Sequence, residues 1–277
     1  MPPVAGLSPS PRSRTLVRRH HFWLKNGGIT KVGAAHMKVT LTIHLDTKRT
    51  TLTLVAMMSA LLAAHLLAMQ ANFNESLGWK DALGFEYWHV SIFDLDEEES
   101  FGTWFSAVIL LFAALLLISV AASLRSKADN MHRWWMILGL GFTLMSIDEI
   151  VGLHELLNTL DEDSAWTVGA FYFVLVSGIC FLPFLWHYRW RSSSLFLAAG
   201  AIYVAGALGV EHYSGTDLNS LRYNMLTGLE ECLEMAGIIL AIYTTLDFIH
   251  ATDADKSHAD SQLKRLAQIP KGMIKDA

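Results

Sequence analysis

Charge is scarce in this chain. Only 17 % of its 277 residues are Asp, Glu, Lys or Arg, against 52 % hydrophobic, and mean hydropathy is positive at +0.34. Soluble domains carry about 25 % charged residues, so this balance excludes an ordinary soluble domain and indicates a membrane composition. Cysteine is nearly lacking: Cys180 and Cys232 stand alone, which excludes a disulfide framework. Residues 1–36 lack acids altogether and hold six Lys/Arg and four of the six prolines. They also lack the apolar h-region of a signal peptide. They read as a disordered tail or an over-extended gene start, with Met37 as the alternative start.

What is present is a series of long apolar runs. A helix needs about 20 mostly apolar residues to cross a bilayer core of roughly 30 Å. Six stretches meet that length, near 51–70, 101–124, 134–155, 166–187, 193–212 and 227–249. The basic residues are strongly one-sided. The tail to residue 50, the 125–133 and 188–192 loops and the C-terminal tail hold 19 of the 21 Lys/Arg, leaving Lys80 and Arg222 on the other side. By the positive-inside rule both termini are cytoplasmic, and the 71–100, 156–165 and 213–226 loops are external. Acids lean the other way, with 19 of 26 in the outer half. The net charge of −5 therefore conceals a dipolar split and gives no reason to expect nucleic acid. The basic tail sets topology and could also touch anionic headgroups. The expected fold is an all-α, polytopic transmembrane bundle of six helices. A basic tail (1–49) and a polar tail (251–277, with a short helix near 259–268) flank the membrane domain (50–250), whose immediate partner is the lipid bilayer.

Against that apolar background the acids stand out. Residues 145–155 read MSIDEIVGLHE and put Asp148, Glu149, His154 and Glu155 at the end of the third span. Ionisable groups at membrane depth cost a few kcal/mol each on insertion scales and mark sites. Glu211 closes the fifth span, and Glu230, Glu231 and Glu234 open the sixth. At 100° per residue, Asp148, Gly152 and Glu155 share a face with Glu149 flanking, and Glu230, Glu234 and Gly237 share another with Glu231 flanking. Gly200 and Ala207, below Glu211, would let a neighbouring helix approach closely. His65, near the outer end of the first span, lies at similar depth. Structural alternatives exist. Thr227-Gly-Leu-Glu230 reads as a capping box, Glu231 profits from a helix dipole, and His65 alone also reads as a hydrogen-bonded core residue. Cys232 is a small buried side chain or a thiol ligand, and about 12 Å of depth separates it from Cys180, too far for a disulfide.

Carboxylates with imidazole suit a divalent metal such as Fe, Mn or Zn, with Asp148, Glu149, His154, Glu155, Glu211, Glu230, Glu234 and His65 as candidate ligands. Known metal motifs are nonetheless lacking. No span carries the Glu-x-x-His pair of ferritin-like di-iron proteins, and Glu86-Tyr-Trp-His89 lies in a loop. His154-Glu155-Leu-Leu-Asn158 lacks the second histidine of H-E-x-x-H. Nucleophile elbows, phosphate-binding glycine loops and histidine-rich boxes are absent too. The aromatic 71–100 loop ends in FDLDEEES, which reads as an acidic helix start or as a cation-attracting mouth.

The strings FDLDEEESFGTWFS, SIDEIVGLHE, GVEHYSG and LEECLEMAG, from about residue 70 to 250, resemble those of a family of uncharacterised bacterial multi-pass membrane proteins. That resemblance implies a six-helix bacterial inner-membrane protein with a shared polar site on Asp148, Glu149, His154, Glu155, Glu230, Glu231 and Glu234. It implies no substrate. Three classes follow: a membrane-embedded metal-dependent enzyme acting on a small molecule or lipid, a proton- or cation-coupled transporter, and an accessory subunit or oligomer that pairs with a partner membrane protein.

Overall fold

A computed structural model of the chain describes residues 45–73, 91–153, 166–187, 190–210, 213 and 220–267. Among the described residues there is no strand, and six helices follow one another. They are α1 Thr47–Phe73, α2 Phe101–Ser126, α3 His132–Val151, α4 Trp166–His187, α5 Trp190–Val204 and α6 Leu221–Ala267, with a π-helical turn at Ala205–Val210 prolonging α5. Thr47–Ala71, Phe101–Ser126, His132–Val151, Trp190–Val210 and Leu221–Ala259 are long and apolar enough to cross a membrane, and Phe171–His187 adds a shorter apolar helix.

Local chemistry sets the ends. Asp46 opens α1 by accepting the Arg49 N–H at 2.7 Å, and Ser100 opens α2 by accepting that of Thr103 at 3.2 Å. Both satisfy donors that a helix start leaves orphaned. Gly152, left-handed at φ 61°, closes α3 by donating its N–H to the Asp148 carbonyl at 2.7 Å. A residue with a Cβ resists that conformation. The α-helix of the expected third span therefore ends at Val151, and Glu155, expected to share a face with Asp148 and Gly152, lies outside the described residues. Ser220 starts α6, accepting the Tyr223 N–H at 3.1 Å. Thr227 and Glu230 thus lie inside the helix, and the expected capping box is not one. α6 also passes residue 250 without a break, so its 47 residues extend about 70 Å. Residues 1–44, most of the expected N-terminal tail, and 268–277, the end of the expected C-terminal tail, lie outside the described residues.

Within the bundle α6 is the hub, packing on α1, α2, α5 and the π turn, while α2 pairs most extensively with α3. One apolar cluster sets Phe105, Ile109 and Leu110 of α2 against Met235, Ile238 and Ile242 of α6, with Phe142 and Met145 of α3 packed on it. Small residues bring backbones together where lipid supplies no hydrophobic drive. A Cβ at Gly139 of α3 would stand 3.3 Å from the Ala114 carbonyl of α2, and one at Gly228 of α6 would stand 2.8 Å from the His65 ring of α1. Ser146 adds a tether from α3 to the Ala107 carbonyl of α2 at 2.8 Å.

Aromatic rings close one end of the bundle. Trp135 of α3 is fully buried, with Phe184 of α4 at 5.3 Å, Phe196 of α5 at 5.7 Å and Phe248 of α6 at 4.8 Å between centroids. Each such pair adds about 0.5–1.5 kcal/mol beyond its buried area. Polar contacts cross the same end: Thr47 with His250 at 2.9 Å and Arg191 with Asp247 at 3.5 Å. The outer flanks are apolar, Leu115, Leu140, Leu144 and Phe173 among them, and Trp186 and Trp190 are 88 % and 83 % exposed. Such flanks are compatible with lipid contact, and exposed tryptophans suit a membrane–water interface.

Candidate functional site

At the end opposite the Trp135 cluster the core turns polar. On α3 the stripe Phe142, Met145 and Ser146 faces the core, and one turn further along the same face comes Glu149. On α6 the stripe Ile242, Ile238 and Met235 runs into Glu234 and Glu231. Tyr203 of α5 hydrogen-bonds the Glu234 carboxylate and feels the fields of Glu149 and Glu231. Glu231 in turn lies within electrostatic reach of Glu234, Glu149, Glu230 and Asp96. Three helices thus bring Glu149, Glu231, Glu234 and Tyr203 into one layer.

Close helix contact builds that layer. A Cβ at Gly237 would stand 2.8 Å from the Ala199 carbonyl and 2.8 Å from the Tyr203 Cβ, so α5 and α6 touch backbone to backbone. At Gly206, in the π turn, it would stand 2.7 Å from the Glu230 carbonyl and 3.1 Å from the Glu234 Cγ. Close approach was expected at Gly200 and Ala207, yet nothing lies within 4 Å of a Cβ on Gly200. The contact face instead runs through Ala199, Tyr203 and Gly206, at helical spacings of four and three residues, and Gly200 stands roughly 100° off it.

On α2, Ser106 adjoins Ala107, whose carbonyl accepts from Ser146. Ser106 is 3 % exposed, and its hydroxyl has no hydrogen-bond partner among the described residues. On the helical wheel it falls between the α3-facing residues Ala107 and Ala114 and the α6-facing residues Phe105 and Ile109. Its hydroxyl therefore enters the space bounded by α3 and α6, next to the turn that Ser146 ties down. A lone serine in an apolar helix carries little signal; only its place in the T-W-F-S string singles it out.

The remaining expected residues divide clearly. Asp148 is half-buried, but it stands roughly 100° off the core stripe that Glu149 continues, the reverse of the expected ranking. Glu230 borders Glu231 and turns its carbonyl toward Gly206. His154, Glu155 and Glu211 lie outside the described residues. Among the described residues no group of three or more His, Cys, Asp or Glu is arranged to hold a metal ion. The acids of the layer come from two helices, Glu149 from α3 and Glu231 and Glu234 from α6, and the expected ligands His154, Glu155 and Glu211 are not among those residues. Cys180 and Cys232 are both free thiols, one exposed and one buried.

His65 does something else. It is fully buried, and its Nε2 lies 2.9 Å from the Asn224 carbonyl of α6. A carbonyl only accepts, so Nε2 carries the proton. Nδ1 accepts the Leu95 N–H at 3.2 Å and stands 3.4 Å from the Asp94 carboxylate. The segment Ser91–Ser100 is thereby fastened across the polar end of the bundle. Leu95 plugs into the core, Asp96 hydrogen-bonds Tyr223 of α6, and the Glu98 carboxylate rests on Gly152. Burial, then the neighbouring Asp94 charge, pushes the Asp96 carboxyl above its ordinary value, the Tyr223 hydroxyl partly offsetting both.

An all-α bundle with apolar flanks and a half-buried carboxylate layer at one end defines the class: helices long and apolar enough to cross a membrane, with acids between them. The chain belongs to the family described as "Domain of unknown function (DUF8692)", which matches residues 51–248. Neither a curated protein nor a solved structure matches the chain.

Proposed function

We propose that the chain is a multi-pass inner-membrane protein of bacterial type, with both termini cytoplasmic, whose carboxylate layer binds a cation from the external side. The observation that carries this reading is the convergence of Glu149, Glu231 and Glu234 around the Tyr203 hydroxyl. Like charges held this close in a low-dielectric interior demand positive charge nearby. Arg125, Lys127, Arg133 and Arg191 belong to the opposite end, and the exposed Arg222 turns to the Tyr213 carbonyl at 3.4 Å. A bound cation or protons fill that need, and proton- or cation-coupled transport follows as the activity.

The alternative is a metal-dependent enzyme, for which no three-ligand cluster stands among the described residues. A metal centre would have to draw on His154, Glu155 or Glu211. Elemental analysis of the purified protein beside a Glu149→Gln, Glu234→Gln variant separates the two. Stoichiometric Fe, Mn or Zn in the wild type, lost in the variant, supports the enzyme reading. Proton or cation uptake into proteoliposomes that the variant lacks supports coupled transport, and a wild type that moves neither overturns it.

A further inference from the structure

The Nδ1 atom of His65 has two claimants. With the proton on Nε2, it accepts from the Leu95 backbone N–H at 3.2 Å. The Asp94 carboxylate, 3.4 Å from the same nitrogen, then faces a lone pair and gains nothing from it. Once protonated, Nδ1 can no longer accept, and it becomes a donor aimed at Asp94. The buried Leu95 N–H then loses its partner, an unfavourable state for a backbone donor away from water. A single proton therefore exchanges one fastening of the segment for another.

We propose that His65 is a proton-operated latch on the segment Ser91–Ser100, which straps the polar end of the bundle. In the neutral state the Leu95 amide is bonded to the ring, its side chain is seated in the core, and Asp96 is tied to Tyr223. Protonation draws Asp94 onto the ring and drives the Leu95 amide off it, which loosens the strap over Glu231. Among the described residues the titratable groups facing His65 are Asp94 and Asp96, both on the strap. α6 offers only the Asn224 carbonyl and Gly228, and α1 keeps Leu62 beside the same glycine. The switch thus has one proton acceptor in the bundle and its counter-charges on the moving part. It holds whatever the carboxylate layer binds.

Hydrogen exchange on the full chain in lipid nanodiscs, read on peptides covering residues 91–100 between pH 5 and 8, tests the latch. After correction for intrinsic rates, protection at Leu95 is expected to fall by roughly tenfold as the pH drops through the histidine range. In His65→Gln that dependence should vanish. In Asp94→Asn its midpoint should move to lower pH, because the anion that favours the imidazolium is gone. Protection that stays flat in the wild type overturns the proposal, as does His65→Gln with an unchanged pH profile. If His65→Gln does not fold, an unmoved midpoint in Asp94→Asn is decisive. Exchange needs no bound cation, so this outcome is separable from failure of the uptake assay.

Discussion

Gly237 and Tyr203 meet so closely that a Cβ on the glycine would lie 2.8 Å from that of the tyrosine and 2.9 Å from its backbone nitrogen. This contact fixes how α5 presents the Tyr203 hydroxyl to Glu234, so helix packing and site chemistry depend on the same few atoms.

Gly237→Ala is accordingly expected to destabilise the bundle by about 1–3 kcal/mol, since the obstructing atoms are backbone and cannot rotate away. Gly200→Ala, with open space around it, should be neutral or stabilising by up to about 1 kcal/mol. Thermal unfolding of both variants in detergent checks the pair; equal losses would contradict the packing described for α5 and α6.

Trp135→Ala should be far costlier than Trp186→Ala. The first removes a fully buried ring shared by four helices, a loss of about 3–5 kcal/mol. The second removes a ring that is 88 % exposed and should leave unfolding in detergent nearly unchanged while weakening the protein's seat at the bilayer interface.

Ser106→Ala discriminates between a resting defect and a working ligand. The hydroxyl has no partner among the described residues, so its loss should leave stability unchanged or slightly improved. Cation uptake should nevertheless fall, with Phe105→Leu as the packing control. Unaltered uptake in Ser106→Ala would remove α2 from the site.

Asp96 sets one pH trend. Its carboxyl titrates above the ordinary value of 3.8 through burial and the Asp94 charge. A carboxyl whose folded-state value is raised costs stability once ionised. The cost is absent below the unfolded value, grows as pH rises and is complete above the raised folded value. Asp96→Asn should therefore flatten stability over the window just above pH 3.8 and raise it at neutral pH. Asp96 is an exposed residue, so the gain should be small and should shrink in high salt. Unfolding midpoints across pH 4 to 7 provide the check.

The helices themselves are readable as apolar runs, because about 20 such residues have few other uses. Their ends are not. Gly152 terminates α3 through a left-handed backbone that hydropathy does not register. Ser220 starts α6 six residues before the apolar run proper, since Arg222 and Asn224 dilute its first turns. The early start puts Glu231 ten residues inside its helix, while the packing of α3 through Met145 and Ser146 puts Glu149 rather than Asp148 in line with the core stripe. Tyr203 escapes notice because a tyrosine in an apolar span usually reads as an interface anchor. His65 is found by its depth, but its partners Asn224 and Leu95 come from 159 and 30 residues away, a pairing no local pattern reveals.

The unbroken length of α6 has a mechanical meaning. From Leu221 to Ala267 it contains no proline, and a helix without one bends only gently. Glu231 and Glu234 thus ride on the same axle as residues 251–267, which project past the Thr47–His250 contact. About 30 Å of rise separates Glu234 from residue 254. Torque applied to the distal end by any grip on it would be delivered, turn for turn, to the carboxylates at the far side.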